Sequence, residues 1–137
     1  MAAKSVLIPI VVTPGEYFDK VVILKLKRKK IKTRSKIKHI ELELAAITEK
    51  KLRFNLTQEK RRRLNALIRR LEATHARAWD LVEEHEKLIR RGGSLERLGG
   101  CAKRMFLLNV RRVFLKNKID VLCQSYSREV KSYELTA

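Results

Sequence analysis

The residues with the most evident chemical capacity in this chain are cations. Lys25, Lys27, Arg28, Lys29, Lys30, Lys32, Arg34, Lys36 and Lys38 follow one another with no Asp or Glu among them, and a second run comprises Lys60, Arg61, Arg62 and Arg63. Ammonium and guanidinium groups at this density attract phosphates, and each phosphate they neutralise releases counterions, so affinity gained this way falls as salt rises. The second run opens a predicted helix, beside the positive end of its dipole, where cations are disfavoured. Local helix stability does not account for that placement, whereas phosphate binding does. A solvated basic face is the plain alternative for either run taken alone.

Reading a nucleic-acid sequence demands more than charge. It needs side chains at base edges in a groove, or aromatic rings on which unpaired bases stack. Aromatics make up only 6% of the chain, and Trp79, Phe106 and Phe114 fall in helical patterns expected to be core. No zinc finger, RNP motif or helix-turn-helix is present, so contacts to the backbone should dominate.

Other polar residues carry weaker signals. Asn109 and Arg112 are three apart, on one helix face near an apolar stripe. A buried arginine requires an anion, and an internal carboxylate is favoured over a bound ligand. Thr74, His75 and His85 lie on or beside the apolar stripe of another predicted helix, where a histidine is expected to be a core residue. Asp80, Glu83, Glu84 and Glu86 form an acidic patch, but Glu83 with Lys87 and Glu86 with Arg90 have the spacing of ordinary helix pairs. No Ser/His/Asp order, glycine-rich phosphate loop or metal-spaced quartet appears. The expectation is no metal, no cofactor, and a binding role in preference to an enzymatic one.

The elements that must position these groups read as helices. Thr13-Pro14-Gly15-Glu16 is a capping box with proline at the first helical position, and Tyr17, Val21, Leu24 and Ile31 form a stripe. The β-branched run after Lys20 leaves a hairpin of residues 5–12 and 21–27 as a competitor. Ile37, Ile40, Leu44 and Ile47 mark a second amphipathic helix. Thr57 can cap a third that runs to about Arg91, where Gly92-Gly93 stops it. Its heptads place Leu64, Leu71, Ala78 and His85 on one seam and Leu67, Thr74, Leu81 and Leu88 on the other, widened by Ile68, Val82 and Ile89. Ser94 caps a predicted short turn, 95–98, with a bend at Gly99-Gly100. A fourth helix follows, carrying Met105, Leu108, Leu115, Ile119 and Leu122 on one stripe and apolar residues on its other faces.

The chain has 137 residues, 33 of them Lys or Arg against 15 Asp or Glu, giving a formal net charge of +18 and a pI near 10.4. This length allows one domain, 1–137, with 1–12 as an extended N-terminal segment. Hydrophobic residues at 45% are too many for a disordered basic tail. The apolar stretch 6–12 is too short for a membrane span and contains Pro9. Cys101 and Cys123, placed on one helix, would be about 33 Å apart and cannot bridge within it. Free thiols fit a reducing compartment, and a cytoplasmic location is expected. The fold expected is all-α, a bundle of two long antiparallel helices and two shorter N-terminal ones.

Leu7-Ile8-Pro9 followed by Gly15-Glu16-Tyr17-Phe18-Asp19-Lys20-Val21-Val22-Ile23-Leu24-Lys25-Leu26-Lys27 resembles the opening of a bacterial and phage family of about this length, "hPxx-GELxDKhTILxIKxxRI" with h apolar. The resemblance continues through Trp79 with its following acids, Asn109-Val110-Arg111-Arg112, Lys116 and Ile119, to Glu129-Val130-Lys131-Ser132-Tyr133, similar to a closing "EEKSY". It implies an all-helical domain with helix over the Asp19-Lys20 segment. It implies no activity, though some members are associated with surface-polysaccharide and glycosyltransferase genes. By motif match it makes Glu16, Asp19, Lys20, Lys27, Asn109, Arg111, Arg112, Lys116 and Lys131 candidates for a shared small-anion site. This chain departs from the pattern at Lys29, Lys30, His39, His75 and Val82 and is much more basic.

The sequence thus supports three functional expectations. The first is a polyanion partner, nucleic acid above others, held through residues 25–38 and 60–63. The second is an accessory factor or small enzyme acting on an anionic sugar or nucleotide. The third is a structural subunit docking an acidic protein, with the third helix leaving room for a dimer.

Overall fold

Thr13 and Pro14 start the first helix as their chemistry dictates: the Thr13 hydroxyl accepts the Glu16 backbone N–H at 3.3 Å, and proline occupies the first turn. In the computed structural model, which describes residues 6–49, 52 and 54–124, this helix is α1, Pro14–Lys30. It is followed by α2, Arg34–Thr48, α3, Gln58–Arg90, and α4, Leu95–Leu122. Thr57 and Ser94 cap α3 and α4 through the N–H groups of Lys60 and Arg97. No strand occurs among the described residues, so the fold is all-α, and residues 21–27 are helical instead of half a hairpin.

The ambiguity of that β-branched run has a packing origin. Val21 and Leu24 turn toward α2 and form a core with Ile40 and Leu44. Val22, the very next residue, joins Leu64, Leu71, Leu115, Ile119 and Leu122 in the main core between α1, α3 and α4. A helix buried on two sides loses the single stripe that identifies an amphipathic one. Among the described helices α2 packs on α1 alone.

The helices α3 and α4 are long and packed against each other. Cys101 Sγ lies 3.4 Å from the Leu81 carbonyl near the connection, while Leu64 and Leu71, earlier in α3, share a core with Leu115, Ile119 and Leu122, later in α4, which makes the two helices antiparallel. The connection is a Schellman turn: Gly93 N–H bonds the Leu88 carbonyl at 2.7 Å, Gly92 N–H bonds that of Ile89 at 3.3 Å, and Gly92 has φ +66°. Both cysteines are free.

Several sequence expectations change. The predicted break at Gly99-Gly100 is absent, and α4 is one helix from Leu95, because Ser94 caps it directly and nothing crowds either glycine. Val82 and Ile89, seven residues apart on one face of α3, are exposed, although Leu81 beside Val82 is buried. Phe106 is 41% exposed, not core. Glu83 accepts the Trp79 indole N–H at 2.9 Å in place of pairing with Lys87, while the Glu86–Arg90 pair forms at 2.6 Å. None of the described helices is long and apolar enough to cross a membrane.

Candidate functional site

The first basic run surrounds the α1–α2 turn. Lys27, Arg28, Lys29 and Lys30 occupy the last turn of α1, where the helix dipole favours cations. Arg34 and Lys36 occupy the first turn of α2, where it does not; that turn has no acid, and the Thr33 side chain makes no capping bond. All nine cations are exposed except the half-buried Lys27. Among the described residues none of them has an ion-pair partner. In the second run, which begins in the first turn of α3 next to Glu59 and continues into the second, Lys60 is half-buried and Arg61, Arg62 and Arg63 are exposed, and these too lack ion-pair partners among the described residues.

The two runs lie toward opposite ends of the bundle. Contacts of Gly15 with Asp120, Glu16 with Lys116 and Asp19 with Arg112 make α1 antiparallel to α4, hence parallel to α3. Asp19 touches His75, which fixes a common level. At 1.5 Å per residue, Lys30 lies about 16 Å beyond that level and Arg62 about 20 Å before it, a separation of roughly 35 Å.

Between them is a polar core assembled from one face of α1 and one of α4. Asn109, Arg112, Lys116 and Asp120 recur at three- and four-residue spacing, so they line one side of α4. His75 Nε2 lies 2.6 Å from Asp19 Oδ1, and Arg112 Nε lies 3.1 Å from the same oxygen. The Nε–H is not aligned for a hydrogen bond there; the guanidinium instead donates from Nη1 to Asn109 Oδ1 at 3.3 Å. Lys116, 2% exposed, places Nζ 2.6 Å from Glu16 Oε1. Asp120 Oδ1 accepts the Gly15 backbone N–H at 2.7 Å, satisfying a first-turn donor of α1 from across the bundle.

Of the residues matched to the family pattern, Glu16, Asp19, Asn109, Arg112 and Lys116 therefore converge. Lys20 points elsewhere, to Glu43 of α2 at 3.0 Å. Lys27 is about two turns farther along α1 than Asp19, Arg111 is exposed on another groove with Arg77 and Arg104, and Lys131 lies outside the described residues. Arg112 has the internal carboxylate expected of it. Sequence reasoning missed Asp120 and the pairing of His75. The spacing from Arg112 and Lys116 signals Asp120, while His75 on an apolar stripe signals only the need for some partner.

Burial raises the Asp19 pKa, but the hydrogen bond with His75 and the charges of Arg112, His75 and Lys116 outweigh it and hold the carboxyl below its ordinary value. The ionised form is thus the one the fold favours. Its contribution to stability is complete above the unfolded pKa of about 3.9 and is lost as pH falls through the lower folded value. Wild-type protein should lose melting temperature below about pH 4 more steeply than an Asp19→Asn variant; parallel profiles between about pH 6 and 2.5 would contradict this assignment.

These contacts tie α1 to α3 and α4, and the acids and cations occupy one another. Among the described residues no group of three or more His, Cys, Asp or Glu is placed to hold a metal. No family model, curated protein or solved structure matches this chain, which leaves charge and geometry as the guides to its function.

Proposed function

We propose that this protein binds nucleic acid through its phosphate backbone, without reading sequence, and that the basic corner between α1 and α2 is the principal contact. The observation that carries the reading is the state of those nine cations: acid-free, almost all exposed, and unpaired among the described residues. A surface that serves only solubility usually mixes both signs of charge. Two helices also open with cations against their own dipoles, at Arg34 and Lys36 and at Lys60 and Arg61, an arrangement that a phosphate relieves. The second run supplies a contact roughly 35 Å away, about one turn of B-form duplex. Free Cys101 and Cys123 fit a cytoplasmic setting. A small-anion site at Arg112 and Lys116 has less in its favour, because Asp19 and Glu16 already neutralise both cations.

The test is retardation of a fluorescent duplex and a single strand across a salt series. A triple variant, Lys29→Gln with Lys30→Gln and Lys32→Gln, should weaken duplex binding by at least about tenfold at low salt. It should also reduce the slope of log affinity against log salt by up to about 3, one unit for each phosphate that the variant leaves unneutralised. Absence of binding at low ionic strength, or an unchanged slope in the variant, would refute the proposal.

A further inference from the structure

The α3–α4 hairpin has two long grooves, and α1 fills one of them. Along the other runs a regular array: Arg63, Arg70 and Arg77 on α3 face Arg104, Arg111 and Lys118 on α4, each series at seven-residue intervals. All six are exposed. Between the two rails lies an apolar floor that includes half-buried Leu67, Leu108 and Phe114, with Leu107 48% and Val121 53% exposed. The floor forms two successive depressions, of about 240 and 720 Å³, and no acidic residue is among the described residues lining either. Lys118 Nζ sits 5.1 Å from the Phe114 ring centroid, over the edge of that floor.

We propose that this groove docks an acidic amphipathic helix of a partner protein. Cations seven residues apart on a helix repeat about every 10.5 Å, which is the repeat of acids at the flanking positions of a heptad helix laid alongside. Nucleic acid presents charge far more densely, one per about 1.7 Å of duplex axis, and its phosphates gain nothing from a leucine and valine floor. An apolar seam flanked by Glu or Asp matches both the floor and the rails.

The hairpin already binds one helix by the same chemistry. In the filled groove α1 offers apolar Val22 and Phe18 together with Glu16 and Asp19, and these acids meet Lys116 and Arg112. A second copy of the chain docked through the open groove would set cations against cations, which excludes a two-fold dimer through this face. Each rail spans 14 residues, about 21 Å, with Arg104 at one end 3.7 Å from Glu84, so a helix of near three heptads covers the rails and extends about a turn past each end.

The probe is a synthetic peptide of about 21 residues with Leu and Ile at a and d and Glu at e and g. Its partner control has the same composition in scrambled order. Fluorescence anisotropy and the peptide's gain in helical circular dichroism are the readouts. The ordered peptide should bind at least about tenfold tighter than the scramble. Arg70→Glu with Arg111→Glu should weaken it by about a hundredfold, and Leu107→Asn with Val121→Asn by about tenfold, while duplex DNA binding by the floor variant stays unchanged. Both pairs lie at exposed positions; a variant whose melting temperature drops is replaced by Lys118→Glu, which should weaken the ordered peptide several-fold. Equal binding of the two peptides, or indifference to the floor variant, would overturn the proposal. So would displacement of the peptide by duplex that depends on the rails and not on the floor, which would make nucleic acid the occupant. None of these results bears on the contact at residues 25–38, which neither peptide nor variants touch.

Discussion

Replacing Asp19 with alanine should destabilise the protein by about 3–5 kcal/mol, the range expected when one partner of a buried ionic cluster is removed. At this chain length that corresponds to a fall in melting temperature of about 10–15 °C. The cost arises from what remains. His75, 6% exposed, loses the oxygen 2.6 Å from its Nε2, and Arg112 loses the carboxylate 3.1 Å from its Nε. Arg112 reaches partly into solvent, with its side chain 35% exposed, so water softens its share and the histidine bears more of it. Asp19→Asn keeps an acceptor and should lose less. A double change, Asp19→Leu with His75→Leu, replaces the pair with packing and should recover much of the loss, since hydrophobic replacement of a buried pair is often neutral. Urea unfolding at neutral pH measures all three. A loss below about 1 kcal/mol for Asp19→Ala would show that the cluster is not what ties α1 to the hairpin.

The cluster also shows where sequence reasoning reaches and where it stops. Caps are legible because they are local: Thr13, Thr57 and Ser94 each bond an N–H three residues on, and Gly92-Gly93 closes α3 by bonds within its own last turn. The heptads of α3 locate Leu64, Leu71, Thr74 and Leu81 in the core. They cannot show that Val82 and Ile89 are exposed while Leu81 beside Val82 is buried, because which flank of the stripe is covered depends on where the neighbouring helices pack. Arg112 announces its need for an anion through its place near an apolar stripe, yet Asp19 lies far earlier in the chain and only the fold brings the two together. The same holds for the rails of the open groove. Arg63, Arg70 and Arg77 are visible as a heptad series in one helix, but their relation to Arg104, Arg111 and Lys118 exists only once α3 and α4 are antiparallel. The basic run at residues 25–38 needs no fold to be noticed; the structure adds that it wraps a helix turn and is remote from the second run.

Gly15→Ala should cost about 2–3 kcal/mol, and the reason is distance, not conformation. In the sequence Gly15 reads as part of a capping box, and its φ is not in the left-handed region that glycine alone tolerates. A Cβ at this position would nevertheless stand 2.4 Å from the Lys116 carbonyl oxygen and 2.9 Å from Asp120 Oδ1. The first of these is backbone and cannot rotate away. To admit a methyl group the start of α1 must retreat from α4, which stretches the 2.7 Å bond from Gly15 N–H to Asp120 and the 2.6 Å pair of Glu16 with Lys116. Alanine's better helix propensity returns at most about 1 kcal/mol, too little to reverse the sign. Gly99→Ala is the matched control. It too lies within a helix, but nothing stands within 4 Å of its added Cβ, so propensity acts alone and the variant should gain up to about 1 kcal/mol. Opposite signs for two identical substitutions, measured by thermal and urea unfolding, are the expected result. If Gly15→Ala proves neutral, α1 does not approach α4 this closely, and the convergence of Glu16, Asp19, Arg112, Lys116 and Asp120 fails with it.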